Sequence, residues 1–213
     1  MQNIEKIKNI IFDFGGVVLN IDYQLTVEAF KEIGFDNLEN LYSKASQNQL
    51  FDNLEIGLIT PQEFRDGIRK ISKRNFSDER IDYAWNKIIL DLPEKRILLL
   101  IELKTKYRTY LLSNTNKIHY DIYFTYLQKY GYKYFNEIFE KAYFSHEIKM
   151  RKPNKEIFEF VLAEQQIIPE ETLFIDDSIQ HINAAENLGI VTHHLTNNED
   201  ITDLFDKEFR LII

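Results

Sequence analysis

Side chains that can bind a metal ion or attack phosphorus lie beside the predicted strand ends of this sequence. They comprise three carboxylates, a hydroxyl, an amide and an ammonium group, at Asp13, Asp176, Asp177, Ser113, Asn114 and Lys152. Each has an ordinary interpretation by itself, since a serine and an asparagine after a strand are usually a helix cap. Parallel strands end at one edge of their sheet, so the sequence predicts that these side chains converge in one small volume.

Three clustered carboxylates predict a bound cation, because Asp13, Asp176 and Asp177 would otherwise repel one another in a partly buried site. Oxygen ligands without histidine or cysteine indicate magnesium rather than zinc. Lys152 would supply a second positive charge, and Ser113 with nearby backbone N–H groups would hold phosphoryl oxygens. Asp13 would then attack phosphorus and form an aspartyl-phosphate.

Two of the seven glycines, Gly15 and Gly16, directly follow this nucleophile candidate. Glycine permits close backbone approach and unusual dihedral angles. An ordinary tight turn after a buried strand is the other interpretation of the pair.

Five short apolar segments predict the strands that position these residues. The segments are Lys8 to Phe14, Thr109 to Leu112, Lys141 to Phe144, Thr172 to Ile175 and Ile190 to Leu195. After Pro93 they alternate with helical patterns, and Lys152 with Pro153 is expected to open the helix before the fourth strand. The predicted fold class is therefore α/β, a Rossmann-like three-layer α/β/α parallel sheet.

A helical insertion is predicted between the first and second strands. Apolar residues recur at threes and fours from Tyr23 to Leu90, Thr60 to Glu63 form a capping box around Pro61, and Ser77 caps another helix. We expect a core domain at residues 1–20 and 92–213, with a helical cap domain, a lid, at 21–91.

The composition narrows the function classes. The chain has 213 residues, a net charge of -8 and no cysteine. The acidic balance disfavours a nucleic-acid surface, and no apolar run reaches the roughly 20 residues of a membrane helix. With no signal-like start and no disulfides, a cytoplasmic protein without nucleic-acid or membrane partners is expected, either a monomer or a homodimer.

Four segments, FDFGGVVLN, LLSNTN, RKPNKEIF and FIDDSIQHINAAENLGI, together resemble the motifs of the haloacid dehalogenase-like (HAD) hydrolases. They stand in the family's order and span nearly the whole chain. The helical insertion resembles the cap of one branch, which closes over small substrates. The resemblance implies a magnesium-dependent phosphatase of a small phosphorylated metabolite.

The resemblance also implies roles for the matching residues. Asp13 matches the nucleophile, Ser113 the phosphate-binding hydroxyl, and Lys152 the lysine that steadies nucleophile and phosphoryl group. Asn114 would contact phosphate or substrate.

The implied magnesium ligands are the side chains of Asp13 and Asp177 and the backbone carbonyl of Gly15. Asp176 is a second acidic contributor, acting directly or through water.

Gly15 departs from the usual family pattern. Family phosphatases carry there a second aspartate that protonates the leaving group, and its loss slows chemistry by about a hundred- to ten-thousandfold. The glycine form resembles sugar-phosphate phosphatases related to bacterial glucose-1-phosphatase, whose anomeric leaving group needs less acid. Asp22 could replace the missing carboxyl, but capping the first helix of the insertion is the favoured role.

Two other functions stay open. The first is a phosphate-binding protein that kept the pocket and lost catalytic activity because position 15 is glycine. The second is a haloacid dehalogenase, which would not need the Asp176 and Asp177 pair.

Some side chains have less specific signals. Substrate-facing candidates in the cap are Asn48, Phe51, Asp52 and Glu55. Surface or packing roles are expected for His146, His181, His193 and His194. Core packing is expected for the aromatic helix from His119 to Tyr130.

Overall fold

The sheet of the computed structural model, which describes residues 4–36, 38, 49–196 and 199–213, has five parallel strands. The strands are β1 (Asn9–Phe12), β2 (Arg108–Ser113), β3 (Lys141–Phe144), β4 (Thr172–Asp176) and β5 (Val191–His194). Their order across the sheet is β3-β2-β1-β4-β5. All five predicted strands are confirmed, each within two residues at either end.

The central strand β1 is buried on both faces, as expected for a parallel sheet covered by helices. Ile10 and Phe12 belong to one apolar cluster, while Ile11 points into another on the opposite face. Successive strand side chains alternate between faces, so this division gives the predicted three layers. The α/β fold class is confirmed.

The sheet-covering helices follow the strands along the chain. They are α5 (Glu94–Leu103), α6 (Lys117–Lys129), α7 (Ser145–Ile148), α8 (Lys155–Gln165) and α9 (Ile179–Glu186). Lys152 lies before α8 in a turn, so the helix begins three residues later than the sequence indicated. None of the helices in the described ranges is both long and apolar enough to cross a bilayer.

Between β1 and β2 the described residues form a bundle of four helices with its own apolar cluster. They are α1 (Tyr23–Glu32), α2 (Gln49–Glu55), α3 (Pro61–Ser72) and α4 (Asp78–Asn86). The capping box at Thr60 and the cap at Ser77 are both confirmed. Ile118 in the first turn of α6 also packs in this cluster, which joins the bundle to the sheet side.

The chain passes between sheet and bundle twice, through two segments that lie side by side. Backbone hydrogen bonds join Asn20 N–H to the Asp91 carbonyl, Leu90 N–H to the Asn20 carbonyl and Asp22 N–H to the Ile88 carbonyl. This paired crossing fixes where the bundle stands over the carboxyl edge of the sheet.

Candidate active site

The carboxyl edge of the sheet gathers three carboxylates. Asp13 follows β1, Asp176 ends β4, and Asp177 comes next. One oxygen of each lies within 4.8 Å of the others. The cause is strand register, because Phe12 pairs with both Leu111 and Ile175, so that neighbouring strands end level. The predicted convergence of these side chains is confirmed.

Lys152 joins two of these carboxylates. Its Nζ lies 2.7 Å from Asp13 Oδ1, 2.7 Å from Asp176 Oδ2 and 2.8 Å from the carbonyl of Leu112. The side chain is fully buried. A buried ammonium is tolerable only with such partners, so Lys152 is fixed by the groups it neutralises.

The two carboxylates that contact Lys152 have different pKa values. Burial raises the pKa of Asp13 to about 7, with the Lys152 charge opposing it and the neighbouring Asp176 and Asp177 charges adding to it. Burial would raise the pKa of Asp176 as well, but the Lys152 charge and a hydrogen bond with His181 hold it at about 2. The three carboxylates outnumber the one ammonium, and their oxygens are donors that magnesium prefers. This donor set fits a divalent cation.

Gly16 is required by close packing as well as by backbone conformation. Its φ is +85°, and a Cβ there would stand 2.4 Å from Asp177 Oδ2. At Gly15 a Cβ would lie 3.2 Å from Ile21 Cδ1, a tight contact with a side chain. The second glycine therefore makes room for a carboxylate, beyond what a simple turn needs.

Ser113 and Asn114 occupy the end of β2. Ser113 is buried, and its Oγ donates to the Asn114 carbonyl at 3.5 Å. The amide of Asn114 donates to the Lys152 carbonyl and accepts from the Lys152 N–H, both at 2.9 Å. Asn114 thus holds the backbone that carries the lysine, and it also lines the cavity over the site. Its contact with phosphate or substrate stays a prediction.

A cavity of about 80 Å³ opens over these groups. Asp13, Gly15 and Asp177 line its strand-edge wall. Its other lining residues include five that we call the bundle-side wall, Tyr23, Glu55, His119, Tyr123 and Arg151. Of these five, Glu55 is the one that the sequence predicted to face the substrate.

The other cap candidates have different positions. Phe51 is buried in the bundle against Phe64 and Trp85. Asp52 pairs with Arg151 outside the cavity, and Asn48 lies outside the described residues. Of the three candidates that the structure describes, Glu55 is the one that lines the cavity.

His181 departs from the expected surface or packing role. Its Nδ1 lies 3.0 Å from both carboxylate oxygens of Asp176, and the ring lines the cavity. His146 packs against Tyr120 and Phe144, as expected. The sequence did carry a signal for this position. His181 lies in the first turn of α9, directly after the acidic end of β4, and that turn stands over the sheet edge.

His193 and His194 lie on β5, beyond the cavity wall. His193 Nε2 stands 3.6 Å from Glu199, and His194 Nε2 is 3.2 Å from the Asp177 carbonyl. His194 is exposed.

The aromatic helix α6 mainly packs, as expected. Tyr120 makes edge contacts with Phe124 and Phe144. Tyr123 is buried and accepts a hydrogen bond from Thr115 Oγ, while its ring also reaches the cavity.

Asp22 caps α1, where its carboxylate accepts a hydrogen bond from Gln24 N–H at 2.8 Å. The favoured interpretation of this residue is confirmed.

The family model described as haloacid dehalogenase-like hydrolase matches residues 7–189. The chain therefore belongs to the haloacid dehalogenase-like hydrolase family. The D-ribitol-5-phosphate phosphatase of Bacteroides thetaiotaomicron is 32% identical over 194 residues, which cover 91% of this chain and 94% of that protein.

Two solved structures are also similar. A HAD family enzyme from Bacteroides thetaiotaomicron, an aspartate-to-alanine mutant in complex with magnesium and inorganic phosphate, has a TM-score of 0.86 and 43% identity. The match covers 94% of this chain and all of the other, 100%. A HAD-like family hydrolase from Porphyromonas gingivalis has a TM-score of 0.84 and 30% identity, covering 93% and 98% of the two chains.

Proposed function

We propose that this protein is a magnesium-dependent phosphatase that hydrolyses a small sugar or polyol monophosphate through an aspartyl-phosphate at Asp13. The observation that carries the proposal is the meeting of Asp13, Asp176 and Asp177 with buried Lys152 beneath a cavity. The relatives named for a phosphorylated polyol and for bound magnesium and phosphate support the same chemistry.

Magnesium would be held by the side chains of Asp13 and Asp177 and the Gly15 carbonyl, with Asp176 contributing directly or through water. When bound, it neutralises the carboxylates and the phosphoryl oxygens. Lys152 orients Asp13 through their 2.7 Å hydrogen bond and balances charge on the phosphoryl group. Ser113 is proposed as the phosphate-binding hydroxyl, and Asn114 as a contact for phosphate or substrate that also positions Lys152.

The reaction has two displacements at phosphorus. An oxygen of Asp13 attacks, the ester P–O bond breaks, and the alcohol leaves with its electron pair and takes up a proton. Water then attacks the aspartyl-phosphate, which releases inorganic phosphate and restores the carboxylate. Because Gly15 offers no carboxyl for the proton transfers, we expect turnover slower by about a hundred- to ten-thousandfold than with that aspartate.

The division into a core (1–20 and 92–213) and a lid-like cap (21–91) is part of the proposal. The paired crossing between Asn20 and Asp91 and the separate apolar cluster of the bundle support it. A cytoplasmic location, and a monomer or homodimer, complete the proposed setting.

The test is a panel of sugar and polyol monophosphates, nucleotides and a halogenated acid, each with magnesium and with chelator. We expect magnesium-dependent phosphate release that Asp13→Asn lowers by more than about a thousandfold. Chelator-resistant turnover, or an active Asp13→Asn variant, would contradict the proposal. Phosphate binding without turnover would instead favour the binding protein that Gly15 suggests.

A further inference from the structure

We propose that Glu55, held by Arg151, recognises the hydroxyl groups of a neutral substrate tail and disfavours a second negative charge there. This inference rests on the proposed function, and it names the residue and the substrate class of the bundle-side wall.

Glu55 is the last residue of α2 and lines the cavity that opens over the carboxylate cluster. It is only 8% exposed. Its Oε2 lies 3.0 Å from Arg151 Nη2. A carboxylate so placed accepts hydrogen bonds strongly, because little water competes for it.

Arg151 also contacts Asp52 through Nη1, so one guanidinium serves two carboxylates. Asp52, Glu55 and Arg151 together carry an excess negative charge. A second carboxylate or phosphate on the substrate would meet this charge, and it would gain little from an arginine already paired twice. A neutral tail meets no such repulsion.

A close contact between α2 and α7 fixes Glu55 in position. Gly57, two residues after Glu55, has φ +63°, and a Cβ there would stand 2.2 Å from the carbonyl oxygen of His146. At this point the backbone of the bundle therefore packs directly against the backbone of α7. This contact holds the end of α2 against the segment that leads to Arg151.

His119 adds a second hydroxyl partner on the same wall. Its Nδ1 lies 2.8 Å from Asn86 Oδ1, an acceptor, so Nδ1 carries the proton and Nε2 is an acceptor. Burial lowers the pKa of His119 to about 3, which keeps the ring neutral. Nε2 is buried with no hydrogen-bond partner in the described part of the chain, an arrangement that a ligand hydroxyl would relieve.

These positions orient the substrate. The phosphoryl group belongs at Asp13 and Lys152, and the carbon chain extends toward Glu55 and His119. Acceptors at this end match hydroxyl donors, so the substrate class is a monophosphate of a polyol or neutral sugar.

The test compares a pentitol monophosphate with the matched aldonate monophosphate, in which a carboxylate replaces the terminal hydroxymethyl group. For the wild type we expect kcat/KM to favour the polyol by at least about tenfold. Glu55→Gln, which is isosteric, should lower this preference by at least about tenfold, mainly through KM of the polyol.

Glu28→Gln is the matched control, because it removes an exposed carboxylate of the bundle, on α1, that lies outside the cavity and contacts Gln24. We expect its preference ratio to stay within about twofold of the wild type. An unchanged ratio in Glu55→Gln, or equal changes in both variants, would overturn the inference. Circular dichroism would verify that each variant is folded.

A binding measurement tests the role of Glu55 independently of catalysis. Titration calorimetry of both phosphates with magnesium, in the Asp13→Asn background, measures the same preference as a ratio of Kd values. Selective binding that depends on Glu55 would support the inference even if no turnover occurs, whereas turnover with no Glu55-dependent preference would leave the phosphatase proposal standing and refute this one.

Discussion

The two walls of the cavity are built in different ways. Behind the strand-edge wall, Lys152 Nζ lies 2.7 Å from carboxylate oxygens of both Asp13 and Asp176, and all three side chains are buried. On the bundle-side wall, Glu55 and Arg151 keep 11% and 22% side-chain exposure and depend on contact between α2 and α7. Strand register places the first wall, and packing between separate apolar clusters places the second. The proposed chemistry thus lies at the wall set by strand register, and the proposed recognition lies at the wall set by packing between the two apolar clusters.

Lys152→Met should damage the strand-edge wall most, because it leaves Asp13 and Asp176 as uncompensated buried charges. We expect the free energy of unfolding to fall by about 3–5 kcal/mol near neutral pH, measured by urea denaturation. Lys155→Met is the control, since that lysine makes an exposed pair with Glu159 and its loss should leave stability nearly unchanged. Equal losses in the two variants would contradict the buried network.

Gly16→Ala should disturb the same wall through sterics, because its Cβ would overlap Asp177. We expect magnesium affinity, measured by calorimetry, to fall at least about tenfold. Gly131→Ala is matched for backbone, with φ +84° and nothing within 4 Å of its Cβ. It should cost about 1–2 kcal/mol of stability and leave magnesium affinity unchanged. Equal magnesium affinities in the two variants would show that Asp177 does not need the space.

Magnesium affinity should depend on pH through Asp13. Because burial raises the pKa of Asp13 to about 7, a proton competes with the metal below that value. We expect affinity to weaken by up to about tenfold per pH unit below pH 7 and to level off above it. Asp13→Asn should bind more weakly and lose this dependence. A flat profile in the wild type would contradict the raised pKa.

Asp22→Asn should have the smallest effect on kcat, and it tests whether proton transfer involves a residue of the segment that enters the bundle. Asparagine caps helices as well as aspartate does, so α1 should be retained. A kcat within about twofold of the wild type is expected, since Asp22 caps the helix and takes no part in proton transfer. A loss beyond about a hundredfold would assign it the acid role that Gly15 lacks.

The strand-edge wall could be predicted from the sequence because its positions are local to each strand. An apolar segment ending in Asp13 or in Asp176 marks both the strand and its end, and parallel strands bring the ends together. The capping signals at Thr60 and Ser77 were equally local and marked the starts of α3 and α4.

The bundle-side wall could not be predicted in the same way. The contact between Glu55 and Arg151 joins residues far apart in the chain, and no periodicity encodes where two packed clusters meet. Arg151 precedes Lys152, and His119 lies in the first turn after a strand-end loop, so proximity to the sheet edge was the one signal available. The hydrogen bonds between the Asn114 amide and the Lys152 backbone could not be predicted either, because a backbone partner is not marked by any residue type.

The central claim is that Asp13 captures the phosphoryl group, and acid quenching during turnover tests it most directly. Mass spectrometry of the quenched protein, with magnesium and a polyol monophosphate, should find one phosphoryl group on the peptide that contains Asp13. The label should vanish with chelator and in Asp13→Asn. Turnover with the phosphoryl group on another residue, or labelling that survives Asp13→Asn, would contradict the account.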